Sequence, residues 1–126
     1  MRKLFVICAG LVMLTGCSPT EGDAISKAKQ SVQDNLKDPN SAEFSDVIFY
    51  PDAIHADDVI QGYVCGLVNA KNSLGGYSGN KRFAVRVSLG RGRDVINNPV
   101  ILGENVADNV KEMQKEAYKK ACTENK

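Results

Sequence analysis

The chain has 126 residues, 16 Lys+Arg against 15 Asp+Glu, a formal net charge of +1, one histidine and no tryptophan. That length holds one domain with a modest core. The charge balance leaves no basic excess for nucleic acid, and no Gly-x-Ser-x-Gly, Cys-x-x-Cys or phosphate-binding Gly-Lys-Ser/Thr loop is present.

Arg2 and Lys3 precede an apolar run over residues 4–14. The run has the length of a secretion signal's hydrophobic region and is too short to span a bilayer. It ends in Leu14-Thr15-Gly16-Cys17, which resembles the lipobox of bacterial lipoproteins. The resemblance implies a diacylglyceryl thioether on Cys17, cleavage before it, and acylation (typically palmitate) of the new amine. Residues 1–16 then form a cleaved signal peptide, 17–22 a lipidated tether and 23–126 a single globular domain. Two or three acyl chains hold a protein firmly on a membrane. Ser18, rather than aspartate, follows the cysteine, which by the same resemblance directs the protein to the outer membrane, facing the periplasm. The tether reaches roughly 17 Å when extended, so the domain is expected close to the bilayer.

Residues 23–37 read as a helix. Ile25, Ala28, Val32 and Leu36 form one apolar stripe, Thr20 with Asp23 resembles a capping box, and Asp38-Pro39 stops the run. One more turn through Ala42 follows, with Pro39 at its first position. Residues 44–50 read as a strand ended by Pro51. The connection over residues 52–58 carries His55 beside Asp52, Asp57 and Asp58. That spacing matches no metal loop and reads as an acidic surface turn, so no metal or cofactor is expected. Residues 59–70 alternate as a second strand, with Tyr63, Cys65 and Leu67 on one face and Gly62, Val64, Gly66 and Val68 on the other. The glycines leave room for a bulge or another backbone. Residues 82–89 alternate most cleanly, with Phe83, Val85, Val87 and Leu89 on one side. Short apolar pieces, residues 94–96 and 100–102, flank Asn97-Asn98-Pro99 and read as a fourth strand. Residues 105–122 read as a helix capped by Asn105 and Asp108, with the stripe Val106, Val110, Met113, Ala117 and Ala121.

Cys8 leaves with the signal and Cys17 carries lipid, so Cys65 and Cys122 remain and pair as one disulfide in an oxidising compartment. That bond brings the last helix onto the Cys65 face. The expected fold is α+β: a helix, an antiparallel sheet of three to four strands, and a C-terminal helix packed on the same face as the first.

Residues 69–83 are too long for a minimal hairpin turn. Val64 to Phe83, with Asp38-Pro39-Asn40-Ser41-Ala42-Glu43-Phe44, is similar to a pattern shared by small secreted proteins of bacteria and their prophages. The similarity implies a single domain and brings no activity. Within the loop, Tyr77 suits an interface anchor, and Lys71, Asn72, Lys81 and Arg82 suit an anionic or carbohydrate group.

These features point to a non-catalytic binding module held on the membrane through Cys17, with an envelope protein as partner. One version is a prophage- or plasmid-type exclusion lipoprotein. Another inhibits a wall hydrolase, since residues 78–83 resemble the Ser-Gly-x-x-Tyr loop of membrane-bound lysozyme inhibitors. The enzyme alternative rests on acid pairs such as Asp57/Asp58 or Glu104/Asp108. Such acids ordinarily serve solvation and helix capping, and no catalytic residue is assigned.

Overall fold

The computed structural model describes residues 18–54, 56–103 and 106–123. Residues 1–17, on which the expected signal peptide and Cys17 fall, and His55, Glu104 and Asn105 lie outside the described residues.

Helix α1, Glu21–Asp34, starts from the expected capping box. The Asp23 amide donates to Thr20 Oγ1 at 3.2 Å, and the Thr20 amide donates to Asp23 Oδ2 at 2.8 Å. The helix ends before the apolar stripe does. Asn35 Nδ2 turns back onto the Ser31 carbonyl at 2.8 Å, and its backbone leaves the helical conformation. Pro39 then opens a 3-10 turn, Pro39–Ser41, closed by Ser41 Oγ donating to the Asp38 carbonyl; the Asp38 side chain makes no cap.

Five strands follow: β1 Glu43–Pro51, β2 Val59–Asn69, β3 Lys81–Gly90, β4 Val95–Ile96 and β5 Val100–Ile101. All pairings are antiparallel, in the order β1-β2-β3, with β4 and β5 end to end along the outer edge of β3. β4 and β5 together take the place of the expected fourth strand, which is broken in two. Asn97 N donates to the Arg86 carbonyl and Leu102 N to the Arg82 carbonyl, so Asn98 and Pro99 together oppose Val85. A proline is tolerated at such a bulge because no ladder bond needs its missing N–H. A second bulge lies in β1 between Ser45 and Ile48, where Asp46 takes a φ of 52°. It sits opposite Gly66, whose Cβ position would lie 3.0 Å from Val47 Cα. The expected backbone approach at the β2 glycines is this contact. No helix among the described residues is long and apolar enough to cross a membrane.

Register decides which faces meet. Val64 pairs with Val85, Gly66 with Phe83 and Gly62 with Val87, so the glycine-bearing face of β2 joins the apolar face of β3. α1 covers that face with Ala24, Ala28 and Val32, and the core forms around Phe49, Val64, Val68, Phe83, Val85, Val87 and Leu89. Phe44 meets Phe83 edge to face at 5.7 Å.

The fold is α+β, with both helices in place. The expected packing of both helices on one face is corrected. Cys65 pairs with Ala84, Tyr63 with Arg86 and Leu67 with Arg82, so Cys65 points away from α1. Helix α2, Asp108–Ala121, reaches this second face through the Cys65–Cys122 disulfide and through Tyr118 under the Arg82 guanidinium. The molecule is therefore three layers: helix, sheet, helix. The apolar stripe of α2 is also not buried as expected. No residue of α2 is buried, and Met113 is 70% exposed. The helix begins at Asp108, preceded by Ala107 with no side-chain cap.

Candidate functional site

Residues 70–80 are a built hairpin extension rather than a slack loop. Lys71 and Tyr77 are cross-strand partners. Asn72 N donates to the Gly76 carbonyl at 2.8 Å, and Gly75 N donates to the Asn72 carbonyl at 3.1 Å. Asn72 Oδ1 accepts from Leu74 N at 3.0 Å and Gly76 N at 3.3 Å. One asparagine side chain thus takes up two turn amides. Gly75 and Gly79 have φ of 81° and 93°, a region that disfavours side chains. Below the turn, Ser78 bonds the Ala70 carbonyl through its amide and hydroxyl, and Gly79 N donates to Asn69 Oδ1. Ser41 Oγ accepts from Lys71 N at 2.8 Å, pinning the hairpin to the 3-10 turn. The two separated halves of the sequence pattern touch at this bond.

Leu74 stands at the tip, 94% exposed, and Tyr77 is 46% exposed. Lys71 Nζ lies 5.8 Å from the Tyr77 ring centroid. Partial desolvation, then the Glu43 carboxylate, hold the Tyr77 phenol above its usual pKa.

The five loop residues singled out in sequence divide into three places. Lys71 and Tyr77 form one side of the hairpin. Asn72 and Lys81, with Lys71 again, line a cleft of about 530 Å³ on the α1 side, together with Asn35, Lys37, Ser73 and Ser78, over a floor of Leu36, Val68 and Ile101. Arg82 belongs to the α2 face, its guanidinium 5.9 Å from the Tyr118 ring centroid.

That second face holds residues sequence reasoning left unassigned. Arg86 donates through both terminal nitrogens to the Asp52 carboxylate, each at 2.6 Å, and lies 5.0 Å over the Tyr63 ring. Its pKa is raised chiefly by the Asp52 bond. Beside it, a pocket of about 220 Å³ opens between Tyr63, Arg86, Asn98, Tyr118 and Ala121. Burial raises the Tyr118 phenol, against a lowering by Arg82. The readable signal was the parity of β3, which sets Arg82 and Arg86, four residues apart, on one face with Ala84 between them. The acids expected as one surface turn are split: Asp52 faces Arg86, while Asp58 accepts from Arg91 at 2.9 Å.

The molecule is polar in layout. α1 begins just after Ser18, and its first half lies by the β3–β4 turn through Lys27–Asp94 at 3.4 Å. Its end lies by the hairpin, where Lys37 Nζ donates to Ser73 Oγ at 3.0 Å. β2, with 11 residues, alone spans roughly 35 Å between these poles.

No family model matches the chain, and neither the curated proteins nor the solved structures contain a match.

Proposed function

We propose that the protein is a lipid-anchored envelope protein, tethered through Cys17 to the outer membrane and facing the periplasm. It acts as a non-catalytic binding module that presents the 70–80 hairpin to an envelope protein. The observation that carries the reading is the opposition of the two ends. The tether enters at the start of α1, and a braced hairpin with an exposed leucine and tyrosine stands at the far pole. A rigid apolar tip with an aromatic anchor suits protein recognition, because little conformational entropy is lost on binding. Exclusion of a phage or plasmid through an outer-membrane receptor is one role that such a placement serves.

The anchor is tested by metabolic labelling with an alkyne palmitate. Wild type should carry label and float with membranes, and Cys17→Ser should do neither. Equal membrane recovery of the two forms, without label, would remove the anchor from the account. The binding role is tested by affinity capture after in-cell crosslinking, comparing wild type with Leu74→Ala/Tyr77→Ala. A near-stoichiometric partner lost in the variant supports the reading, and an unchanged capture pattern contradicts it.

A further inference from the structure

The cleft behind the hairpin carries positive charge without a counter-charge. Lys37 approaches from the end of α1, while Lys81 pairs with Val68 and so projects to the α1 side of the sheet. Among the described residues, neither lysine has a carboxylate within salt-bridge distance, and no acidic side chain lines the cleft.

The hydrogen-bond inventory points the same way. Lys37 spends one N–H on Ser73 Oγ, which leaves two N–H groups and the serine proton to donate. Asn72 has its oxygen occupied by the turn amides, so its amide nitrogen is the group left over. Asn35 spends an N–H on Ser31 and keeps its oxygen. The wall is therefore rich in donors and poor in acceptors, over an apolar floor of Leu36, Val68 and Ile101. Its volume, about 530 Å³, is in the range that holds one or two sugar rings.

We infer that this cleft binds an anionic saccharide, the ammonium groups of Lys37 and Lys81 holding its phosphate or carboxylate and the amide and hydroxyl groups of Asn35, Asn72 and Ser73 holding its ring hydroxyls. Lysines supply point charges that accept either anion, whereas a bidentate arginine fork would select its geometry. The inference deepens the binding-module reading at the same hairpin. Its site is the side of the hairpin that faces α1, from Lys81 up to Asn72 and Ser73, and it does not include the Leu74 and Tyr77 side chains.

The test is calorimetric titration of the mature lipidated protein in non-ionic detergent. The probes are N-acetylglucosamine 1-phosphate, digalacturonate and uncharged chitobiose. At least one anionic probe should bind saturably, more weakly as salt rises, with chitobiose roughly tenfold weaker or worse. Binding of the phosphate probe alone assigns the source to phosphorylated sugars; binding of digalacturonate alone assigns it to uronic acids. Lys37→Gln/Lys81→Gln should weaken binding by roughly a hundredfold, about tenfold per lost charge. Lys115→Gln, on the far helix, should bind as wild type, and the thermal midpoints of all forms should agree. Three results would each overturn the inference: no anionic probe binding at millimolar concentration, chitobiose binding as well as the anions, or the double variant binding as wild type. Partner capture through Leu74 and Tyr77 reads the broader proposal separately, because neither lysine lies at the tip.

Discussion

Removing the Cys65–Cys122 bridge should release α2 and leave the α1–sheet core folded. The substitution is Cys65→Ala/Cys122→Ala, which leaves no lone thiol. The bridge closes a loop with a sequence separation of 57 residues. In the chain-entropy model a loop of that size constrains the unfolded chain by about 4 kcal/mol. For a domain of this size that corresponds to a fall in thermal midpoint on the order of 15 °C. The local effect is more diagnostic. α2 fully buries no side chain, Tyr118 being only partly covered, and Met113 and Val110 of its stripe face solvent. A free helix of 14 residues is marginal in water, so without the bond little holds it helical. α1 has the same length, with Ala24, Ala28 and Val32 buried, so it stays. About half of the α-helical circular dichroism should therefore disappear while the sheet signal persists. Hydrogen exchange read by mass spectrometry should show amides of α2 losing protection, with β2 and β3 still protected. If α2 stayed protected in the variant, contacts other than the bridge would hold it. Opening of β2 and β3 together with α2 would show that the core and the outer helix unfold as one unit, against this expectation.

Gly62→Ala should cost about 3 kcal/mol in urea unfolding, because the added Cβ would lie 2.1 Å from the Tyr50 carbonyl oxygen on the paired strand; a variant as stable as wild type would contradict that register. Asp52→Asn should cost about 1–2 kcal/mol, since the Arg86 pair is bidentate and its side chains are only about a quarter exposed, and Arg86→Lys should fail to restore it. Two carboxyls titrate below their ordinary 3.8: Asp23 through the Thr20 amide and hydroxyl, and Asp58 through Arg91. Each stabilises the fold when charged, so that contribution is complete above the unfolded pKa and is lost as pH falls through the lower folded value. Asp23→Asn/Asp58→Asn should flatten the acid limb of midpoint against pH below about pH 5, and an unchanged acid limb would show that neither carboxylate contributes.

Local signals in the sequence carried most of the elements. Thr20 and Asp23 announce the α1 start by their spacing, because both partners of the capping box lie within one turn. The alternation of β2 and β3 and the apolar pieces on either side of Pro99 were readable for the same reason. The pairing of faces was not. It turns on a register in which Cys65 meets Ala84 and Gly66 meets Phe83, and one residue of slip exchanges the faces. Tyr63, Cys65 and Leu67 look more like a core than a face with two glycines. The glycines win because they admit the β1 bulge and the Phe83 ring, and Gly66 lies against both. The α2 stripe misled because helical periodicity reports amphipathicity and not what covers it. The hairpin was legible as a long glycine-bearing segment. That Arg82 points away from Phe83 was legible from alternation; that α2 covers that side was not, because it depends on which sheet face the Cys65–Cys122 bond serves.

The proposed function sets the hairpin tip against an envelope partner and the opposite pole toward the membrane. A photo-crosslinking amino acid placed at position 74 or at position 93 in intact cells tests it most directly. Leu74 stands at the hairpin tip and Arg93 in the exposed turn by the start of α1. Position 74 should give one discrete protein adduct, and position 93 none of that mass. The same adduct from both positions, or none from position 74, would contradict it.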